Sequence, residues 1–392
     1  MKKEIIRPES SFRSKCNWAA LCILAAFLWA SPNAQAEPYL AIQEGYKCSK
    51  CHVNMTGGGK RTDFANIYVQ TRLTSNFINW RSMLPGSDED LDEEENPLKT
   101  DSTSSFFSGR MNDYIAIGGD FRALYERTET PGEDTEDVFN QHKQNIYLEI
   151  DLIPERVIYY QTLAEGGDAR ESFGLLKWEF NEQPVYLKIG QFFLPYGLRL
   201  QDDTAFTRAV TGFTYGTTDV GLEAGYEPGS WALHAAVTNG TGSSLETNQS
   251  KRFTGSAAYV DKRYRLGISY DTNKNTDGDE TRIYGINAGA QFGRTGILFE
   301  TDIIDEPDDE QLVAILELNL LIARGKNLKL SYEYHDPSED ISDNANERYS
   351  LVYEPFLNQF TQVRGGVREN KGIPQDPSEN ITSYFLELHL FF

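Results

Sequence analysis

The chain has 392 residues and a formal net charge of -22, its aromatic residues dominated by 21 Tyr and 22 Phe, and its mean hydropathy is -0.51. A chain this acidic lacks the basic surface that displaces counterions from phosphate, which excludes nucleic acid as a partner. Beyond one short N-terminal apolar stretch it has no run fit to cross a bilayer as a helix, so any crossing falls to strands, whose alternating faces average out in hydropathy.

Residues Met1 to Asn17 carry Lys2, Lys3, Arg7, Arg13 and Lys15, followed by the apolar stretch Trp18 to Trp29 and the small-x-small triplet Ala34-Gln35-Ala36. That is the pattern of an export signal over residues 1–36, too short in its apolar part to be a spanning helix. Cys16 and Cys22 leave with it, and the mature chain starts near Glu37.

Cys48-Ser49-Lys50-Cys51-His52 then holds the two remaining cysteines. Two thiols at this spacing can each add to one vinyl group of a porphyrin, and the adjoining His52 is placed to ligate its iron, so the motif predicts one covalent haem c. A disulfide between Cys48 and Cys51 is the plainer reading, but it gives His52 no role. A zinc site needs a second Cys/His pair, and a thiol oxidoreductase needs a βαβ surround; neither is found near the motif.

Residues 37–85 are too few for a multi-helix cytochrome with its own core. Tyr39, Ile42, Tyr46, Phe64, Ile67, Tyr68, Phe77 and Trp80 are available to wrap a porphyrin, and Thr62 to Leu73 suit a short helix. Gly57-Gly58-Gly59 serve either a close backbone approach or a flexible linker. Met83 is the best local candidate for the second axial ligand, because Met or His in that position marks electron-transfer haems. Met55 is too near His52 to reach the opposite haem face. Of His142, His234, His335 and His389, inward-facing His335 or His389 could serve if the haem segment plugs a lumen; Met111 is the remaining methionine. Residues 86–110 include the dense acidic run Ser87 to Asn96, which self-repulsion keeps extended as a linker.

From residue 111 to 392 the chain alternates. In residues 145–152, Ile146, Leu148, Ile150 and Leu152 oppose Tyr147, Glu149 and Asp151; Tyr384, Leu386, Leu388 and Leu390 oppose Phe385, Glu387 and His389. Period two with ionisable groups on one face suits a wall between lipid and a wet lumen. Sixteen such segments can be counted, between about 112–128 and 380–391. Short turns at Pro154-Glu155, Asn181 to Pro184, Glu227 to Ser230, Asp261-Lys262, Gly293-Arg294, Arg324-Gly325 and Glu354-Pro355 alternate with long polar loops at Thr128 to Gln141, Asp271 to Glu280, Asp305 to Glu310 and Asp336 to Glu347. The expected fold is therefore all-β: a transmembrane antiparallel β-barrel of about sixteen strands, preceded by a small irregular or helical haem segment.

Gly190-Gln191-Phe192-Phe193-Leu194-Pro195, within residues 184–216, resembles the strand and following loop of phosphate-selective-type porins, and Phe392 resembles the closing residue of bacterial outer-membrane barrels. The whole arrangement is similar to the fused monohaem cytochrome–porins, a group that includes outer-membrane iron oxidases. The iron-oxidising branch has Pro shortly after its haem His, where this chain reads Val53 to Arg61, so the donor stays open. The resemblance implies a Gram-negative outer membrane. It also implies an electron conduit between a periplasmic c-type cytochrome and an extracellular redox partner such as a metal ion. The chain is then an electron carrier rather than an enzyme, or, if enzymatic, a metal-oxidising or metal-reducing cytochrome. The alternative is a diffusion porin whose haem segment is a structural or redox-sensing plug; the resemblance to phosphate-selective-type porins implies an anion path along inward Lys177, Lys188 and Lys329, against which Glu149, Asp151, Glu179, Glu317, Glu333 and Glu387 point inward on the same phase.

Overall fold

The computed structural model describes residues 38–74, 78, 106–165, 171–242 and 249–392. Sixteen strands are found among them. They are β1 (Ile115–Glu129), β2 (Glu136–Ile153), β3 (Val157–Glu165), β4 (Ser172–Phe180), β5 (Gln183–Phe192), β6 (Asp219–Tyr226), β7 (Trp231–Thr238) and β8 (Arg252–Asp261). The second half contributes β9 (Tyr264–Lys274), β10 (Glu280–Phe292), β11 (Thr295–Glu306), β12 (Asp309–Ala323), β13 (Lys326–Asp336), β14 (Asn346–Asn358), β15 (Thr361–Lys371) and β16 (Thr382–Phe391). Each pairs antiparallel with its sequence neighbours, and β1 closes on β16 with Asp120 opposite Phe391. Closure leaves no free edge, the condition for strands to cross a bilayer.

Alternation assigns the two faces. On β9, Leu266 and Ile268 point outward at 60% and 61% exposure, while Ser269 and Asp271 are buried in the lumen. Ile268 stands opposite Ile286 of β10, extending one apolar belt from strand to strand. Aromatic clusters mark its borders: Trp231, Tyr259 and Tyr264 at the short-turn end, Tyr270 with Tyr284 at the other. Tyr264 and Tyr270 are six residues apart, ~20 Å at ~3.3 Å per residue, close to the ~25 Å apolar band of outer-membrane barrels. Inward charges are paired: Arg364 bridges Glu354 at 3.0 Å and Glu387 at 3.1 Å, and Lys329 lies between Glu317 and Glu354.

Connections differ from expectation in three places. Asp305 to Glu310 is a two-residue turn rather than a long loop, and β2 begins at Glu136 inside the expected loop Thr128 to Gln141. Backbone pairing continues past the membrane, where both faces meet water and hydropathy no longer alternates. Glu354-Pro355 is not a turn. β14 runs on to Asn358, the reversal falls at Gln359-Phe360, and Pro355 is accommodated next to a register shift between Phe356 and Asn358.

The lumen is filled from both ends. From the long-loop end, residues 193–218 fold inward. The Tyr196 hydroxyl donates to Asp302 at 2.8 Å, the Leu198 amide to Glu300 at 2.7 Å and the Phe206 amide to Glu333 at 2.8 Å. From the short-turn end, the N-terminal segment enters as α1 (Pro38–Glu44), α2 (Cys48–Cys51) and α3 (Asp63–Tyr68), continuing as a π-turn over Val69–Leu73. Arg324, in the β12–β13 turn, donates to the carbonyls of Thr71 at 2.6 Å and Arg72 at 3.1 Å. Gln359, in the β14–β15 turn, bonds both backbone groups of Ile78. The apolar cores mix segment and wall: Val53 and Met55 pack with Tyr147, Tyr160 and Phe173, while Tyr39 and Ile42 pack with Leu298 and Ile315.

Candidate functional site

Cys48 and Cys51 occupy one helical turn, and residues three apart on a helix share a face. Both are free thiols lining one cavity. The turn ends at His52, which is extended (φ -125°, ψ 145°) while its amide still donates to the Cys48 carbonyl. The chain then reverses in a small hairpin: His52 bridges Arg61, and the Val53 amide donates to the Lys60 carbonyl at 3.0 Å. Its tip is Gly57-Gly58-Gly59, all at positive φ. A Cβ on Gly58 would stand 2.9 Å from the Tyr215 ring, and one on Gly59 2.5 Å from the Tyr160 hydroxyl. Close approach, not linker flexibility, accounts for these glycines. Thr62 caps α3 by accepting from the Ala65 amide at 3.2 Å, and its hydroxyl donates to the Lys50 carbonyl at 2.8 Å, tying α3 to α2.

The hairpin is pinned to the barrel wall. Lys60 pairs with Glu149 at 2.9 Å, its amide donates to the Tyr160 hydroxyl at 2.9 Å, and Asn54 donates to Glu171 at 2.6 Å. Lys188 donates to Asn54 at 2.9 Å and pairs with Glu223 at 2.8 Å, both charged groups fully buried. Ser49 donates to Glu227, just past the end of β6, at 2.7 Å.

Cys48, Cys51 and His52 line one partly open cavity between the inserted segments and the barrel wall. Its lining is mostly apolar, with Ile42, Met55, Val69 and Leu198 from the inserted segments and Ala232, Ala258 and Val260 from the wall. Lys47, Arg199 and Arg265 supply positive charge at the same cavity. His52 lies deep in the barrel yet keeps a surface on the cavity, and its Nδ1 is buried without a hydrogen bond of ordinary geometry. Burial, then the charge of Arg61, lowers its pKa to about 4, so the ring is the neutral form that ligates metals. Burial, reinforced by neighbouring Cys48, raises the Cys51 thiol to about 11, the reverse of the activated thiolate of a redox pair. Among the described residues, no three His, Cys, Asp or Glu side chains converge as a metal-ion site would require. The donor set fits a porphyrin: two thiols on one face, a neutral imidazole, an apolar slot and cations for carboxylates.

A second cavity also has His52 in its lining. It is polar: Arg61, Arg122, Lys143 and Arg199 face it beside the carboxylates of Asp120 and Glu171.

The candidate second ligands separate. Met83, with Phe77 and Trp80, lies outside the described residues. Met55 lines the first cavity; Met111 is 67% exposed just before β1. His335 contacts Gln311 at 3.2 Å away from both cavities, and His389 is held by Asp120 at 3.0 Å on the second cavity. The imidazole that does reach the first cavity is His234 on β7. Its inward phase, flanked by Ala232 and Ala236, was visible in the sequence; its proximity to Cys48 was not.

No family model and no curated protein matches the chain. Solved structures do match. The loop-deleted OmpT outer-membrane protein of Vibrio cholerae aligns at TM-score 0.52 and 11% identity over 71% of this chain and 99% of its own. The anion-selective porin of Comamonas acidovorans aligns at 0.52 and 12% over 71% and 99%, and OprB of Pseudomonas putida at 0.52 and 11% over 71% and 94%. These likenesses establish the porin-type closed barrel and, with the outward apolar belt, an outer-membrane location.

Proposed function

We propose that the chain carries electrons across the outer membrane, with one haem c held in the barrel lumen by Cys48 and Cys51 and ligated by His52. The observation that carries this reading is the convergence of both thiols and the imidazole on one largely apolar cavity inside a closed barrel. Bound there, haem supplies a one-electron couple. The chain's own residues do the rest. The hairpin pinned by Lys60 and Asn54 fixes the thiols and His52, the apolar lining excludes water, and Lys47, Arg199 and Arg265 offer counter-charge to the propionates. Seating the segment against the short turns presents it to the periplasm, where a c-type cytochrome is the fitting partner. The acidic outer loops suit an extracellular metal ion as the other.

The second reading is a diffusion porin with a haem-bearing plug. Two observations favour it: the fold likeness is to porins, one of them described as anion-selective, and four cationic side chains face the second cavity. Reconstituting the full mature protein in liposomes, with an electron acceptor inside and a reductant outside, separates the two. Electron transfer without leakage of small solutes supports the conduit. Leakage with a redox-silent haem supports the porin and removes the conduit.

A further inference from the structure

His234 sits on β7 in the phase of Ala232 and Ala236, facing the cavity that Cys48, Cys51 and His52 also line. The wall around it is pared down: Ala232 pairs with Ala258 and His234 with Ser256, so the imidazole is the one large side chain that this stretch of β7 and β8 projects into the lumen. Small neighbours leave room for a flat group between plug and wall.

The hydrogen bonds behind the ring set its tautomer. The Tyr186 hydroxyl has one proton and two close partners, the Glu223 carboxylate at 2.6 Å and His234 Nδ1 at 2.6 Å. Glu223 is paired with fully buried Lys188 at 2.8 Å and acts as an acceptor, so the Tyr186 proton goes to it. The hydroxyl oxygen then accepts from Nδ1–H, which leaves the lone pair on Nε2. Nδ1 carries the ring's hydrogen bond, and among the described residues no partner is found for Nε2. An imidazole held through Nδ1–H with a bare Nε2 facing a cavity is the arrangement of a metal-ligating histidine with its orienting shell.

Resting on the haem reading above, we infer that His234 is the second axial ligand, so that the iron is held between an imidazole of the plug and an imidazole of the barrel wall. Plug and barrel are then cross-linked through the iron, and the site has no open position for peroxidase-type chemistry.

The test uses the full mature protein with its haem assembled. A covalent haem stain and the ferric absorption and electron paramagnetic resonance spectra are read for the native chain, His234→Ala and His234→Met, with heat-modifiable gel migration as the check on barrel folding. The native chain is expected to be low-spin. His234→Ala is expected to become high-spin and bind carbon monoxide, with added imidazole restoring the low-spin form. His234→Met is expected to remain six-coordinate with a raised midpoint potential. A native protein that is high-spin, or a folded His234→Ala protein that stays low-spin without imidazole, overturns this inference and leaves the haem reading standing. A native chain with no covalent haem overturns both.

Discussion

Cys48 and Cys51 point the same way because a single helical turn separates them, and Gly58 and Gly59 bring the following residues back beside His52. Replacing both Cys48 and Cys51 with Ala is expected to abolish covalent haem staining; either single change leaves at most one thioether and a weaker stain. Gly58→Ala forces a Cβ into left-handed backbone against Tyr215, a strain of about 1–2 kcal/mol. The docked-to-undocked ratio of the plug should fall about tenfold, seen as faster proteolysis of residues 38–74. Lys188→Met strands the buried Glu223 carboxylate, which on the scale of broken buried pairs costs about 3–5 kcal/mol. The heat-modification temperature of the barrel should drop, and Lys188→Met with Glu223→Gln should recover part of it. Cys48, Cys51 and His52 were legible as one group because they lie close together in the sequence. His234 was not: 182 positions separate it from His52, and only strand register brings the two to one cavity.

The strands were legible as elements because lipid on one side and charge on the other impose period two on each. Where a strand leaves the membrane that contrast ends, and so did the accuracy of the reading: β11 and β12 run almost to their shared turn through Asp305 and Glu310, and β14 runs through Pro355. The N-terminal segment was legible as a separate unit by its Cys48-to-His52 motif, while its place in the lumen was one alternative that the sequence left open. Its short helices gain their burial from the barrel wall, where Ile42 packs over Gly289 and Gly45 approaches the Lys262 backbone. Deleting residues 38–74 from the exported protein should therefore raise single-channel conductance in planar bilayers. Should conductance be unchanged, the inward fold of residues 193–218 closes the lumen without help from the plug.

At the scale of the whole molecule, closure of β1 on β16 turns sixteen individually marginal strands into one structure without an edge. Ile268 lies between the aromatic borders set by Tyr264 and Tyr270 and packs beside Ile286. Ile268→Arg is expected to destabilise the barrel by about 2–4 kcal/mol, the range for a charge near the midplane, whereas Ile268→Leu should be neutral. Denaturant midpoints of the barrel folded into lipid vesicles would measure both. An equal effect from the two substitutions would mean that this face does not meet hydrocarbon.

The sequence by itself determined the barrel of about sixteen strands, its inward and outward faces, and the grouping of Cys48, Cys51 and His52 in one motif, because local spacing and period-two patterning encode all of these directly. Tertiary structure alone decided that the segment bearing them lies inside the barrel at the short-turn end, and that His234, Arg199 and Arg265 share their cavity. The physical reason is that lumen contacts join residues far apart in sequence. Strand pairing and the inward fold of residues 193–218 and of the N-terminal segment fix those contacts, and no local pattern carries either.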